Sequence, residues 1–156
     1  MKHTMYPFSY GTIVMEYEYE VLYKLRSTPE EKEITPEIMR DRSEFSDGIY
    51  RQVQEFLTGE RKSFDVIYSL NGTEFQRKVW ATLCKIPYGE TRSYKQIAEA
   101  LGQPKAVRAV GMANNRNPLM IIVPCHRVIG SDGSLVGYAG GLEMKKALLE
   151  VEQCGR

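Results

Sequence analysis

The sequence predicts an α+β protein: a small N-terminal α/β unit followed by a mostly helical half that carries a helix-turn-helix. Three observations carry this expectation. Residues 13–25 alternate apolar and polar side chains with period two. Asn71-Gly72 then punctuates the chain. Beyond it, apolar residues recur at helical spacing behind two capping boxes and a glycine-proline turn. A chain of 156 residues can bury a core without disulfide or metal staples.

Along residues 13–25, Ile13, Met15, Tyr17, Tyr19, Val21, Tyr23 and Leu25 oppose Glu16, Glu18, Glu20 and Lys24. That is the pattern of a strand or hairpin with one wet face. Residues 27–36 read as a loop. Ser46 or Asp47 can cap a helix carrying Ile49, Val53, Phe56 and Leu57, stopped at Gly59. Residues 64–70 read as another strand. This half has no cysteine, its only histidine is His3, and it reads as scaffold.

After Asn71-Gly72, Thr73 and Gln76 have capping-box spacing and open a helix with Phe75, Val79, Trp80 and Leu83 on one side. Cys84 falls on that helix and reads as a buried small hydrophobe. Residues 87–90 form a turn. Ser93 and Gln96 make a second capping box, starting a helix with Ile97, Ala98 and Leu101 that closes at Gly102. Pro104 suits the first turn of the next helix, which runs to about Asn114. Two short helices joined in this way read as a helix-turn-helix. On the second one, Val107, Val110 and Asn114 face inward. Ala106, Ala109 and Ala113 line up beside Arg108 as a stripe of small residues. Such a stripe serves tight helix packing or close approach to a narrow DNA groove.

Charge is uneven. Residues 1–70 carry nine Lys and Arg against thirteen Asp and Glu, and residues 71–156 carry twelve against seven. A basic second half suits a polyanionic partner. No run approaches the ~20 apolar residues of a membrane span, and residues 1–6 lack the apolar stretch of a secretion signal. A cytoplasmic, nucleoid-associated protein is expected. The three cysteines, Cys84, Cys125 and Cys154, have no metal-ligand spacing and suit a reducing compartment with free thiols.

The chemistry concentrates at Pro124-Cys125-His126-Arg127-Val128. An apolar run leads into Pro124, which cannot continue a helix or central strand. Cys125 therefore sits where the chain leaves the core, beside cationic groups expected to lower its pKa and favour the thiolate. On extended chain Cys125 and His126 point to opposite sides, so a bridging water is one way to join them.

This string resembles the active-site signature of the O6-alkylguanine-DNA alkyltransferases. Further matches follow in order: residues 89–94 ending at Tyr94, residues 104–111 around Arg108, residues 137–142, and the last helix through Glu152. The resemblance covers about residues 72–153. It implies a ribonuclease-H-like scaffold domain at 1–70 and a winged-helix-like DNA-binding and alkyltransferase domain at 71–156. It also implies that Cys125 accepts the alkyl group, that His126 relays its proton and is held by Glu152, and that Asn117 orders the active-site turn. Arg108 maps to the finger that fills the space left by a flipped base, and Tyr94 to the residue that turns the nucleotide and stabilises the leaving group. Val128, through its backbone, with Tyr138 and Ala139, would line the base pocket. Lys95, Gln103 and Ser131 would lie along the DNA backbone, with Ala106 and Ala109 against the minor groove.

The implied function is direct reversal of O6-alkylguanine, and less well of O4-alkylthymine, in double-stranded DNA. One alkyl group is transferred per monomer, without metal or organic cofactor. No zinc site of the kind found in some relatives is expected, because no cysteine precedes Cys84. Ala139 stands where some relatives have serine. Met120 and Val136 bear on tolerance for bulky adducts, and Cys154 reads as incidental. Three alternatives differ in class: a non-catalytic binder of alkylated DNA, a helix-turn-helix regulator, and a cysteine hydrolase.

Overall fold

The computed structural model describes residues 1–155. Three antiparallel strands, β1 (Lys2–Phe8), β2 (Gly11–Glu18) and β3 (Val21–Thr28), form a meander in the order β1-β2-β3. The period-two segment is thus the β2–β3 hairpin. Its phase does not run through the turn: Ile13, Met15 and Tyr17 are buried, Tyr19 is exposed at φ 54°, and Leu22 and Leu25 take over the inner face. A register shift at Glu16/Tyr17 accompanies this change. β1 escapes a hydrophobicity reading because its inward residues are Thr4 and Tyr6. Their hydroxyls donate to the Ile38 carbonyl at 2.8 Å and the Asp47 carboxylate at 2.6 Å.

The loop expected at 27–36 begins later, after Thr28, and ends in a short helix, α1 (Pro36–Arg40), capped by Thr35. Helix α2 (Glu44–Leu57) starts earlier than expected. Ser43 is its N-cap, and Ser46 is its third residue, closing a reciprocal capping box. Residues 64–70 do not form a strand. Only Tyr68 bridges to Leu22, and Ile67 is 68% exposed. The physical reason lies at the edge of β3, where Leu25 pairs with Leu119 three residues beyond Leu22. Two segments share one short edge, so neither builds a ladder there.

The second half follows its capping signals. Helix α3 (Glu74–Leu83) and helix α4 (Tyr94–Ala100) both have full capping boxes, at Thr73/Gln76 and Ser93/Gln96. Gly102, at φ 73°, turns the chain out of α4 in a conformation that side chains disfavour. Helix α5 (Val107–Asn115) has no side-chain cap and begins after Pro104 rather than at it. Trp80 Nε1 donates to the Ala113 carbonyl at 2.9 Å, locking α3 to α5. Ala113 is buried and Ala109 exposed, so the alanines do not form one surface stripe. Strands β4 (Arg92–Ser93) and β5 (Val128–Ile129) pair in parallel, and α6 (Leu142–Cys154) closes the described chain. One buried apolar cluster takes residues from both halves, including Leu25, Phe56, Trp80, Leu119 and Leu148. No helix among the described residues is long and apolar enough to cross a membrane.

Candidate active site

The β3 edge aims the chain at the site. Leu25 N donates to the Pro118 carbonyl at 2.8 Å, and Met120 N donates to the Leu25 carbonyl at 3.0 Å. The chain then folds back through two γ-turns. Ile122 N donates to the Met120 carbonyl at 2.7 Å across Ile121, whose φ of 70° is strained for a β-branched residue. Cys125 N donates to the Val123 carbonyl at 2.7 Å across Pro124. Asn117 braces this path from inside. Its Nδ2 donates to the Leu119 and Val123 carbonyls at 3.2 and 2.8 Å, and its Oδ1 accepts from Leu119 N at 3.0 Å. One buried amide thus pairs the Leu119 N–H and adds a second donor to carbonyls that already accept from Val123 N and Cys125 N.

Cys125–Arg127 is a 3₁₀ turn rather than extended chain. Cys125 therefore does not point opposite His126 as a strand would require. Asn114 Nδ2 donates to the Cys125 carbonyl at 3.3 Å and ties α5 to the turn. Cys125 is buried and lines a pocket of about 430 Å³ together with Met120, Tyr138 and Ala139.

Behind it lies a closed polar cluster. His126 Nε2 hydrogen-bonds Glu152. Arg127 Nε donates to both Glu152 oxygens at 2.8 and 3.1 Å, and Gly89 N donates to Oε1 at 2.8 Å. Arg127 also donates to the Ile86 carbonyl at 2.8 Å. Burial opposes ionisation of Glu152, but its hydrogen bond and charge interaction with His126, together with Arg127 and Gly89, hold the carboxyl below its ordinary value. Burial pulls His126 below its ordinary value despite Glu152. The pair is therefore a neutral imidazole against a carboxylate. A carboxylate only accepts, so Nε2 carries the proton and Nδ1 is left as an acceptor. That Nδ1 is buried and has no partner among the described residues.

The expected thiolate is not the resting state. Burial pushes the Cys125 thiol up to about 11, against smaller opposite effects from Asn117 and Lys145. Desolvation outweighs the charge of Lys145. Lys145, wholly buried on α6, donates to the Val128 and Val136 carbonyls at 2.6 and 2.8 Å. Burial brings its own pKa down to about 8.

The other expected site residues are spread around this centre. Tyr94 OH donates to the Val136 carbonyl at 2.9 Å, and burial raises its pKa, so it remains a donor. Tyr138 and Ala139 reach the pocket, and the buried Tyr138 hydroxyl has no partner among the described residues. Val128 is buried in β5, outside the pocket wall, with its carbonyl taken by Lys145. Arg108, Gln103 and Ala109 are exposed on the helix-turn-helix, and Ala106 is its half-buried N-cap. Lys95 and Ser131 border a separate hollow. Cys84 is exposed, not buried, because it caps α3 one residue beyond the buried Leu83. Arg127, Lys145, Gly89 and Asn114 join the site without a signal in the sequence that marks them as site residues. Arg127 was visible beside His126, whereas the others are brought in only by tertiary contact. Among the described residues no group of three or more His, Cys, Asp or Glu could hold a metal.

A pocketed cysteine backed by a histidine–glutamate pair, beside a helix-turn-helix with an exposed arginine, defines a thiol group-transfer protein built to meet nucleic acid. The chain belongs to the 6-O-methylguanine DNA methyltransferase family, whose DNA-binding domain matches residues 74–154. It is 47% identical to the methylated-DNA–protein-cysteine methyltransferase of Methanosarcina acetivorans over 97% of this chain and 98% of that one. The Methanosarcina barkeri protein of the same name is 58% identical over 66% of this chain and 65% of its own length. The crystal structure of Mycobacterium tuberculosis O6-methylguanine methyltransferase superposes with a TM-score of 0.85 at 42% identity, covering 99% of this chain and 94% of that one.

Proposed function

We propose that this chain repairs DNA by direct reversal, moving an alkyl group, methyl above all, from O6 of guanine onto Cys125 Sγ. The observation that carries this reading is the buried Cys125 thiol in its pocket, next in the 3₁₀ turn to His126, whose buried Nδ1 has no partner among the described residues. The Cys125 proton passes to Nδ1, through water where contact is not direct, and Glu152 stabilises the resulting imidazolium. The thiolate attacks the alkyl carbon in line. The S–C bond forms, the C–O6 bond breaks, and guanine takes a proton. Tyr94 turns its hydroxyl from the Val136 carbonyl to the base, donates a hydrogen bond there and eases departure of the oxygen. The product is a thioether, which no neighbouring nucleophile displaces, so each monomer acts once.

The partner is double-stranded DNA carrying O6-alkylguanine, entered from the minor groove by the helix-turn-helix. The target base is flipped into the pocket and Arg108 takes its place. Ala106 and Ala109 permit close approach, while Lys95, Gln103 and Ser131 meet the backbone. Ala139 and Tyr138 face the base near O6. Val128 reads the exocyclic amine only by sharing a carbonyl that Lys145 already holds. O4-alkylthymine fits less well, because it lacks that amine. Asn117 keeps the turn in shape. Residues 1–70, with the β1-β2-β3 sheet, serve as a ribonuclease-H-like scaffold. Residues 71–156 form the winged-helix-like working domain, acting in the cytoplasm where the nucleoid lies.

Intact mass after incubation with duplex DNA containing O6-methylguanine tests the proposal. One added methyl on Cys125, stoichiometric and abolished in Cys125→Ser, is expected. Unmodified protein that still binds the lesion identifies a non-catalytic damage binder, and repeated turnover rules out the single-use mechanism.

A further inference from the structure

We infer that Phe56, on α2 in the N-terminal half, is a positioning residue for the proposed transfer: its ring walls the His126–Glu152 pair off from water and so keeps the imidazole able to take the Cys125 proton. This rests on the alkyl transfer proposed above and gives the N-terminal half a part in its proton step. Phe56 and His126 meet edge to face, with ring centroids 6.1 Å apart and planes at 77°. Phe56 is 1% exposed and His126 fully buried. Among the described residues, Phe56 is the one aromatic ring that packs on His126. Tyr88 extends the wall: its ring packs edge to face on Phe56 at 5.9 Å, and the Arg127 guanidinium lies 5.6 Å from its centre. Phe64 stacks on the Phe56 ring at 5.5 Å.

The proton step explains why this matters. The charges that face His126 pull in both directions. Glu152 on α6 favours the imidazolium through its hydrogen bond and its charge, whereas Arg127 in the turn and Lys145 on α6 oppose it. Tyr88, with its pKa raised by burial, stays an uncharged phenol. Cys125 adds a charge only once its proton has left. Burial outweighs Glu152 and leaves the imidazole neutral. Water reaching the pair would stabilise the ion and let Glu152 charge the ring. An imidazolium has no lone pair for the Cys125 proton, so the transfer would stall. An apolar ring from α2 against the imidazole keeps that lone pair free, and the edge-to-face contact holds the ring in its orientation.

Titration of the His126 ring by nitrogen NMR, set beside the pH profile of methyl transfer from duplex DNA, tests this in the full chain and its Phe56→Leu variant. His3, the other histidine of the sequence, is exposed and gives a separate signal. In Phe56→Leu the His126 midpoint is expected to rise by about one pH unit, and the pH below which transfer fails is expected to rise with it. Phe56→Met, with a longer side chain in the same space, should show a smaller rise in both. Phe64→Leu takes a ring from the same stack without uncovering His126, so it should lower stability and move neither midpoint. Because midpoints are read, partial loss of folding does not bias them. A His126 midpoint unmoved in both Phe56 variants overturns the inference. So does an equal rise in Phe64→Leu, or a rise for His126 without one in the transfer profile. Failure of the unsubstituted protein to take methyl sinks the parent proposal instead. Normal methyl transfer with unmoved midpoints sinks only this one.

Discussion

His126 and Glu152 meet through Nε2 in a part of the core where both residues are 0% exposed, leaving Nδ1 of the same ring without a partner among the described residues. The carboxylate fixes the tautomer and the orientation of the free nitrogen. It also neutralises Arg127, which reaches it through Nε. Glu152→Gln keeps the shape but removes the charge, leaving a buried guanidinium without its counter-ion. A loss of about 2–4 kcal/mol of stability is expected in urea denaturation. Alkyl transfer should slow at least about ten-fold, because the imidazolium formed during proton transfer loses its support. An unchanged denaturation midpoint contradicts this account of the cluster.

Cys125 has a second measurable property. Its thiol is pushed up to about 11 by burial, so below that pH the thiolate fraction rises about ten-fold per pH unit. With a small neutral alkylating agent and no DNA, the reaction of Cys125 should climb through pH 7–9 without levelling. Cys84 and Cys154 are exposed and should react first. A plateau for Cys125 below pH 8 would mean that nearby cations outweigh desolvation.

What could be read in advance followed local chemistry. The capping boxes at Thr73/Gln76 and Ser93/Gln96 are local hydrogen-bond patterns, and α3 and α4 start where they predict. The string around Cys125 is local too, and the structure brings His126 and Glu152 together across 26 positions. β1 was not legible, because its inner face is Thr4 and Tyr6, whose burial depends on distant hydrogen-bond partners. Nor was the raised pKa of Cys125. Adjacent cations are visible in sequence, whereas the desolvation that outweighs them belongs to the folded pocket. Lys145 was hidden for a similar reason, since a lysine beside Lys146 on a terminal helix looks like a solvated charge.

Asn117 supports two carbonyls and one amide in a turn that includes the strained Ile121. Asn117→Ala leaves the Leu119 amide without a partner, while the Leu119 and Val123 carbonyls keep the backbone amides of Val123 and Cys125. The expected cost is about 1–3 kcal/mol, the scale for one buried group left unsatisfied. Chemical denaturation measures it. A change below about 0.5 kcal/mol would show that water replaces the amide fully.

Lys145 makes stability depend on pH. Burial lowers its pKa in the folded protein from the ordinary 10.5 to about 8. Between these values the unfolded chain binds more protons than the folded one, so this group's contribution to stability increases as pH rises through the window. Its hydrogen bonds to Val128 and Val136 can survive the loss of a proton, because a neutral amine still has two donors. Unfolding free energies of the protein and of Lys145→Met, compared from pH 7.5 to 10, should diverge in favour of the lysine as pH rises. A difference independent of pH would remove the shifted lysine from the account.

Arg108 provides the test of how the helix-turn-helix serves the pocket. It is exposed on α5, so Arg108→Ala should change stability by less than about 0.5 kcal/mol. Its proposed work is done only in duplex DNA, where it fills the space left by the flipped guanine. Transfer from O6-methylguanine in a duplex should therefore slow much more than transfer from the free base, which has no stack to leave. Rates on both substrates decide the matter. Equal losses would place Arg108 in a general electrostatic role, and a loss confined to the free base would contradict any part in base extrusion.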